Sequence, residues 1–431
     1  MALSIILIIL LLIALLVIGV PVAFSLAISG FIGLFYEIGL NASMLTMRNV
    51  TYSNVTVFLL STIPMFILMA EFLNQSKLTD QVFDAAHKWF SGVTGGLAFA
   101  TTMANGGMAA LSGSSTATAA TMSKIAVPEM NRFGYDSRLS LGTVAAGGTF
   151  AVMIPPSLGL IIYGVMTETS IASLFIAGIV PGVLTIVGYG ATIYVWGRMN
   201  PRVIGGATTE YTWGEKFTSL KPIWPALLVV LLVIGGLYFG VVTPTEAGAL
   251  GASGTFLVGI LFAQMRYTGV KKALLQTAET TTMIFMIIIG AMIFGRWLAV
   301  TGATQLIIDS IAGLPINRWG ILILILVLYI LMGTLMDQLA ILILTLPITF
   351  PLALELGFDP IWFGILIAKT IEIGLVTPPL GLNVYIASAS VEIDADIGFR
   401  GAIRFIPVDI LIIILMLAFP QVVLYLPELM N

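Results

Sequence analysis

Two double prolines interrupt strongly apolar stretches, half a chain apart. IPPSLGLIIY runs from Ile154 to Tyr163, and TPPLGLNVY from Thr377 to Tyr385. Proline has no N–H to close a helical turn. Pro155 and Pro156 therefore deprive the carbonyls of Ala151 and Val152 of their i+4 donors, and Pro378 and Pro379 do the same to Gly374 and Leu375. Unpaired backbone of this kind is costly inside a bilayer unless it is buried in protein or lines a cavity. The chain is rich enough in apolar residues for a bilayer to be its solvent. Hydrophobic types make up 59% and charged types 9% of its 431 residues, against about 25% charged in soluble domains.

Apolar runs of about 20 residues mark membrane crossings. They fall at 3–19, 21–38, 55–73, 137–167, 172–197, 222–240, 245–265, 280–299, 360–390 and 405–427, with the double prolines breaking 137–167 and 360–390. The opening MALSIILIILLLIALLVIGVPVAF lacks a basic start and a small-residue cleavage site, so it reads as a first crossing rather than a signal peptide. Regions 93–129 and 318–350 carry turn-like centres, NGGMAALSGSSTA and MGTLMDQ. Each suits a re-entrant hairpin that turns near mid-membrane.

The pattern occurs twice. Pro21 and Pro244, Pro128 and Pro351, Gly134 and Gly357, Asp136 and Asp359, and the two Pro-Pro pairs are all offset by 223 residues. The reading is an all-α polytopic membrane protein of two repeats, 1–215 and 216–431, each with five crossings, one hairpin and one broken helix. Five is odd, so the second repeat starts on the opposite side and the repeats are inverted. Lys77, Lys88, Arg132, Arg138, Arg198, Arg202, Lys216, Lys221, Arg266, Lys271, Lys272, Arg400 and Arg404 fall on one side, and Arg48 and Arg318 on the other. The first side is therefore cytoplasmic. Stretches 76–90 and 303–314 are amphipathic and suit the two interfaces.

The breaks suggest chemistry. A hard cation such as Na⁺ satisfies bare carbonyls, and the half-helices that restart at Ser157 and Leu380 offer N–H groups to an anion. The hairpin tips bring hydroxyls at Ser112, Ser114, Ser115 and Thr116, and an acid at Asp337. Asp337 is a candidate for substrate or cation binding, Asn383 a candidate substrate contact, and Arg296 a candidate partner for a substrate carboxylate, although Arg296 sits near the outer end of its crossing. Lys369 and Glu372, three apart, suit an internal salt bridge. Glu71 and Glu246 suit bonds between helices. The chain has no cysteine and one histidine, His87, which leaves the usual catalytic sets unavailable and points away from an enzyme. A net charge of −3 gives no reason to expect nucleic acid. An ion or solute channel with two hairpins is the alternative to a transporter. Proton coupling is disfavoured by the few carboxylates near the breaks.

VTPTEAGALG, IPPSLGLIIYG and TPPLGLNVY, in this order, resemble the large membrane subunit of tripartite ATP-independent periplasmic (TRAP) transporters, over essentially the whole chain. The resemblance implies an elevator fold of the ion-transporter superfamily and Na⁺-coupled import by two or more ions. It also implies a periplasmic substrate-binding protein, a small four-helix membrane subunit on a separate chain, and the bacterial inner membrane. It places one Na⁺ site at Ser112, Ser115, Ala151, Ile154 and Pro156, and the other at Gly333, Gly374 and Thr377. Organic acids are the implied substrates, of the C4-dicarboxylate or sialic acid type.

Overall fold

The computed structural model describes residues 2–76, 78–205, 211–312 and 316–430, and all regular elements among them are helical. Lys77 and positions 313–314 of the second amphipathic stretch lie outside the described residues. The first half holds α1 (Ala2–Val17), α2 (Val22–Val55), α3 (Thr62–Asn74), α4 (Leu78–Phe90), α5 (Gly96–Ser112), α6 (Ser115–Arg132), α7 (Ser137–Gly148), α8 (Phe150–Met153), α9 (Leu158–Thr167) and α10 (Ile171–Met199). A short α11 (Trp213–Ser219) connects the halves. The second holds α12 (Trp224–Tyr238), α13 (Pro244–Leu261), α14 (Tyr267–Thr301), α15 (Ala303–Ala312), α16 (Arg318–Gly333), α17 (Gln338–Glu355), α18 (Pro360–Leu375), α19 (Leu382–Ser390), α20 (Ala395–Ala402), α21 (Ile406–Ala418) and α22 (Gln421–Glu428).

Helix boundaries follow the sequence repeat. The limits of α17, 338 and 355, lie 223 beyond the 115 and 132 of α6. Asp136 and Asp359 do the same job one repeat apart. Each caps the helix before a break, accepting from Arg138 N at 2.8 Å and Trp362 N at 2.9 Å. Packing is reciprocal as well. α2 lies against α14 while α13 lies against α3; α9 lies against α17 while α19 lies against α6; α5 lies against α7 as α16 lies against α18. An element of one half thus meets the partner's counterpart in both directions, as a two-fold relation between the halves requires.

Several crossings are longer or more broken than the apolar runs indicate. α2 continues past residue 38 to Val55, bending at Gly39, whose φ of 77° only glycine adopts easily. α14 begins at Tyr267 rather than 280 and runs for 35 residues. Its extra turns carry Lys271, Lys272, Gln276 and Glu279, so hydropathy alone stops short of them. The last crossing divides at Phe419 into α21 and α22, because Pro420 cannot continue the first helix. Five described helical stretches, one of them the broken 137–167, are long and apolar enough to cross a membrane, and up to eight are if bent pairs count as single spans.

Candidate transport site at the hairpin tips

Each re-entrant hairpin meets the broken helix of its own half through glycine. In the first half the tip between α5 and α6 is Gly113, in left-handed conformation (φ 61°). Its carbonyl accepts from Leu158 N at 3.3 Å, just past the prolines. A Cβ on Gly113 would stand 2.6 Å from the Pro156 carbonyl oxygen, so no other residue allows this approach. In the second half, Gly381 N donates to Thr334 O at 3.2 Å. There Gly333 and Gly374 lie face to face, and a Cβ on Gly374 would fall 2.5 Å from Gly333 Cα. Both Pro-Pro bonds, Pro155–Pro156 and Pro378–Pro379, are cis. The halves differ in exposure: Ala151, Pro155, Pro156 and Ser157 are buried and Ile154 half-buried, while Pro378, Pro379 and Leu380 are exposed beside the half-buried Thr377.

The prolines strand fewer carbonyls than simple counting indicates. Val152 O accepts from Ser157 Oγ at 2.7 Å. Gly374 O accepts from Thr377 N at 3.0 Å, and Thr377 Oγ1 turns back to Ile373 O at 2.5 Å. The chain itself therefore satisfies two of the four oxygens. Ala151 and Leu375 keep prolines at i+4 and receive none of the backbone bonds that close the breaks. The second half-helix also restarts later than the prolines suggest, at Leu382 after the left-handed Gly381 (φ 49°), not at Leu380.

Between the tips lies a cavity of about 470 Å³. Ser112, Ser114, Ser115 and Thr116 line it from the first hairpin, and Asp337 and Gln338 from the second. The opposite wall is Glu71 and Asn74 of α3 with Thr280 and Met283 of α14. The hydroxyls are interlinked, with Ser112 to Thr118 at 2.6 Å and Ser114 to Thr116 at 3.2 Å. Asp337 spends one carboxylate oxygen capping α17, accepting from Leu339 N at 2.9 Å and Ala340 N at 3.3 Å. Gln338 Nε2 is buried without a partner and is pressed against Gly159 at the start of α9.

Three sequence candidates fall elsewhere. Arg296 lies 13 residues beyond Met283 on the same helix, about 20 Å away at 1.5 Å per residue, and lines a separate cleft with Asn49 and Ser53. Asn383 is fully buried against α7, its amide reaching Ala145 O at 3.4 Å, rather than lining the cavity. Glu246 forms a capping box with Thr243 at the start of its own helix, not a bond between helices. Conversely, Glu71 faces the cavity. Sequence reading passed over Asn74, Gln338 and Thr280. The spacing of Glu71 and Asn74, three apart in an apolar helix, is a signal that a face of α3 is polar.

Comparison with known proteins decides what carries such a cavity. Residues 9–422 match the family model described as "Tripartite ATP-independent periplasmic transporter, DctM component". The chain belongs to that family. This DctM-type chain is 33% identical to the C4-dicarboxylate TRAP transporter large permease protein DctM of Pseudomonas aeruginosa, covering 86% of each. It is 30% identical to the sialic acid TRAP transporter large permease protein SiaM of Vibrio cholerae, covering 95% of each. Among solved structures, the YdaH transporter of Alcanivorax borkumensis shares the fold, with a TM-score of 0.58 at 12% identity, over 88% of this chain and 89% of that one. The DctM-type chain is thus a multi-pass membrane component of a transporter.

Proposed function

We propose that this DctM-type chain imports an organic acid across the bacterial inner membrane, driven by Na⁺ and supplied by a periplasmic binding protein, together with a small membrane subunit. The observation that carries the reading is the cavity itself. One wall is two hairpin tips, each fastened to a helix break, and the other is α3 and α14. The two walls belong to different sets of helices. α5–α10 with α16–α22 make a transport body containing both hairpins and both breaks, and α1–α3 with α12–α14 make a scaffold. Sliding of the first past the second, as an elevator, carries the cavity across. Reciprocal packing between the halves supports two inverted repeats, since odd numbers of crossings reverse the second.

The residues fit a coupling Na⁺. The bare carbonyl of Ala151 and the hydroxyls of Ser112 and Ser115 are neutral oxygens, the kind a hard monovalent cation accepts. Among the described residues no three His, Cys, Asp or Glu side chains gather as a multivalent metal site would need. In the second half Gly333, Gly374 and Thr377 would supply main-chain oxygens at the corresponding contact, Gly374 through the lone pair left beside its bond from Thr377 N. For the anion, Ser114 and Thr116 present hydroxyls at the start of α6, where backbone N–H groups and the helix dipole favour negative charge. Asp337 and Glu71 then select against a bare carboxylate lying close to them, which favours a ligand with hydroxyl or amine groups on that side. The substrates for which the two relatives are named, C4-dicarboxylate and sialic acid, are both organic acids.

The test is uptake into proteoliposomes holding this chain and its small subunit, with the binding protein outside and candidate acids supplied singly. Uptake should require both a Na⁺ gradient and the binding protein, and Ser115→Ala should weaken its Na⁺ dependence. Sodium-independent uptake, or a conductance without bound solute, would overturn the proposal in favour of a different coupling or a channel.

A further inference from the structure

Neither α10 nor α21 contributes a side chain to the transport cavity. These two helices pack on each other and leave a groove of about 660 Å³ along their line of contact. Glycine brings them together. A Cβ on Gly188 would overlap Val408 Cγ1, so the helices meet closely there. Val187 and Val195 of α10 and Leu411 of α21 line the groove while more than half exposed, and the buried Ile412 lines it from within. The hydroxyl on its wall, Thr192 Oγ1, turns back to Gly188 O at 3.0 Å. The walls are therefore apolar, and among the described residues Arg404 is the one charged side chain in the lining.

Arg404 stands at the end where α10 finishes and α21 begins, its guanidinium carbon 4.3 Å from the centre of the Trp196 ring. Stacking occupies a face of the guanidinium and leaves its five N–H donors free at the edge. None of the ion pairs among the described residues uses Arg404 or Arg198. Arg198, next to Met199 at the same end, has Tyr194 of its own helix at 3.4 Å. Asp409, the acid nearest to Arg404 in sequence, is fully buried and bound to Lys369 at 2.7 Å, which also holds Glu372. This end thus carries two guanidinium charges with no carboxylate against them. It is also the end that the excess of lysine and arginine marks as cytoplasmic. The lining residues Leu184 and Met199 lie 15 residues apart on α10, about 22 Å at 1.5 Å per residue. One leaflet supplies about 15 Å of a hydrocarbon core about 30 Å thick, so a chain that starts beside Arg404 runs its full depth within the groove.

We propose that this groove holds one anionic phospholipid of the cytoplasmic leaflet, its phosphate on Arg404 and an acyl chain between α10 and α21. The planar guanidinium offers two parallel N–H groups to two phosphate oxygens, and the Trp196 ring fixes its plane. Arg198 adds a second charge, which favours a headgroup with net negative charge over a zwitterionic one. A protein occupant would need an acid of its own at this depth, whereas headgroup phosphates surround the chain there already. The site stands whether or not the transport reading holds.

Native mass spectrometry of the purified complex with its small subunit tests this, using phosphatidylglycerol and phosphatidylcholine with the same chains as probes. Wild type should keep one phosphatidylglycerol under conditions that strip phosphatidylcholine. Arg404→Gln should weaken that retention about fivefold, the effect of one basic side chain beside an anionic lipid surface. Ala191→Phe fills the groove from an exposed position, so it should fold, and it should lower retention with Arg404 intact. Equal retention of the two lipids by wild type would make the groove ordinary bilayer contact and overturn the proposal. An undiminished preference in Ala191→Phe would overturn it too, and that variant decides the matter even if Arg404→Gln does not fold. A photo-crosslinking residue in place of Val195 should capture lipid. Capture of the small subunit, or of a second copy of this chain, would assign the groove to protein and overturn the proposal.

Discussion

Replacing Gly374 by alanine tests how the second hairpin is held against its break. A Cβ there would lie 2.5 Å from Gly333 Cα, 2.6 Å from Ile330 O and 2.7 Å from Gly333 C. All three are backbone atoms, so no change of rotamer relieves the overlap. Carbon atoms rest at about 3.5–4.0 Å, so hairpin and helix must separate by roughly 1 Å. Overpacking of this sort costs ~1–3 kcal/mol, or about 5- to 150-fold in an equilibrium at 1.4 kcal/mol per factor of ten. Thermal stability alone would understate it, because alanine is also better than glycine within a helix by up to ~1 kcal/mol. Cation binding has no such offset: ligand distances are tolerated only to about 0.2 Å. Gly374→Ala should therefore raise the Na⁺ concentration for half-maximal uptake by at least about fivefold, while the melting temperature falls less than the overlap alone would dictate. Gly235→Ala, in α12 with no atom within 4 Å of its new Cβ, is the control: it should leave the Na⁺ dependence unchanged and should not lower the melting temperature. A Na⁺ dependence for Gly374→Ala equal to wild type would refute the claim that this glycine contact sets the geometry of the site.

Two further perturbations separate other parts of the argument. Ser157→Ala removes the hydroxyl that satisfies the buried Val152 carbonyl, which should cost ~1–3 kcal/mol and lower the melting temperature of the purified complex; an unchanged melt would mean that the carbonyl finds another donor. Arg138 hydrogen-bonds Asp136 and holds its carboxyl below the usual carboxylate range. A depressed folded value means that the contribution is present above the unfolded value and is lost as pH falls through the folded one. Asp136→Asn keeps a helix cap and removes the charge, so it should lower stability by ~0.2–1 kcal/mol at neutral pH, with the difference from wild type vanishing in acid. A gap that instead widens in acid would contradict the sign of this linkage.

Much of the architecture is legible in the linear chain because it is written twice. The recurrence of Pro21, Pro128, Asp136 and Pro155-Pro156 at a constant offset locates both hairpins and both breaks, and the helix limits respect the same offset. Apolar runs fail where polarity changes along a continuous helix, as at the start of α14 with its paired lysines Lys271 and Lys272. They fail again where a bend rather than an end is encoded, as at Gly39. The cavity is half legible. Ser112 to Thr116 and Asp337 declare themselves as polar groups at turns. Glu71, Asn74 and Thr280 come from helices far away in sequence, and only packing sets them opposite the tips.

By itself the chain determined that this protein lives in a bilayer, that it is a duplicated helical unit, and that each copy breaks one helix. Composition, hydrogen-bond chemistry and proline act locally, so those properties need no knowledge of what touches what. The local conformation at each break decided which stranded carbonyls stay bare, since Ser157 and Thr377 claim two of them from within five residues, and tertiary structure alone decided the rest. It removed Arg296 from the site by placing it far along α14, and it brought Asp409 to Lys369 from 40 residues away. The satisfaction of a buried polar atom is a matter of distance in space, and a sequence carries distance only along the chain.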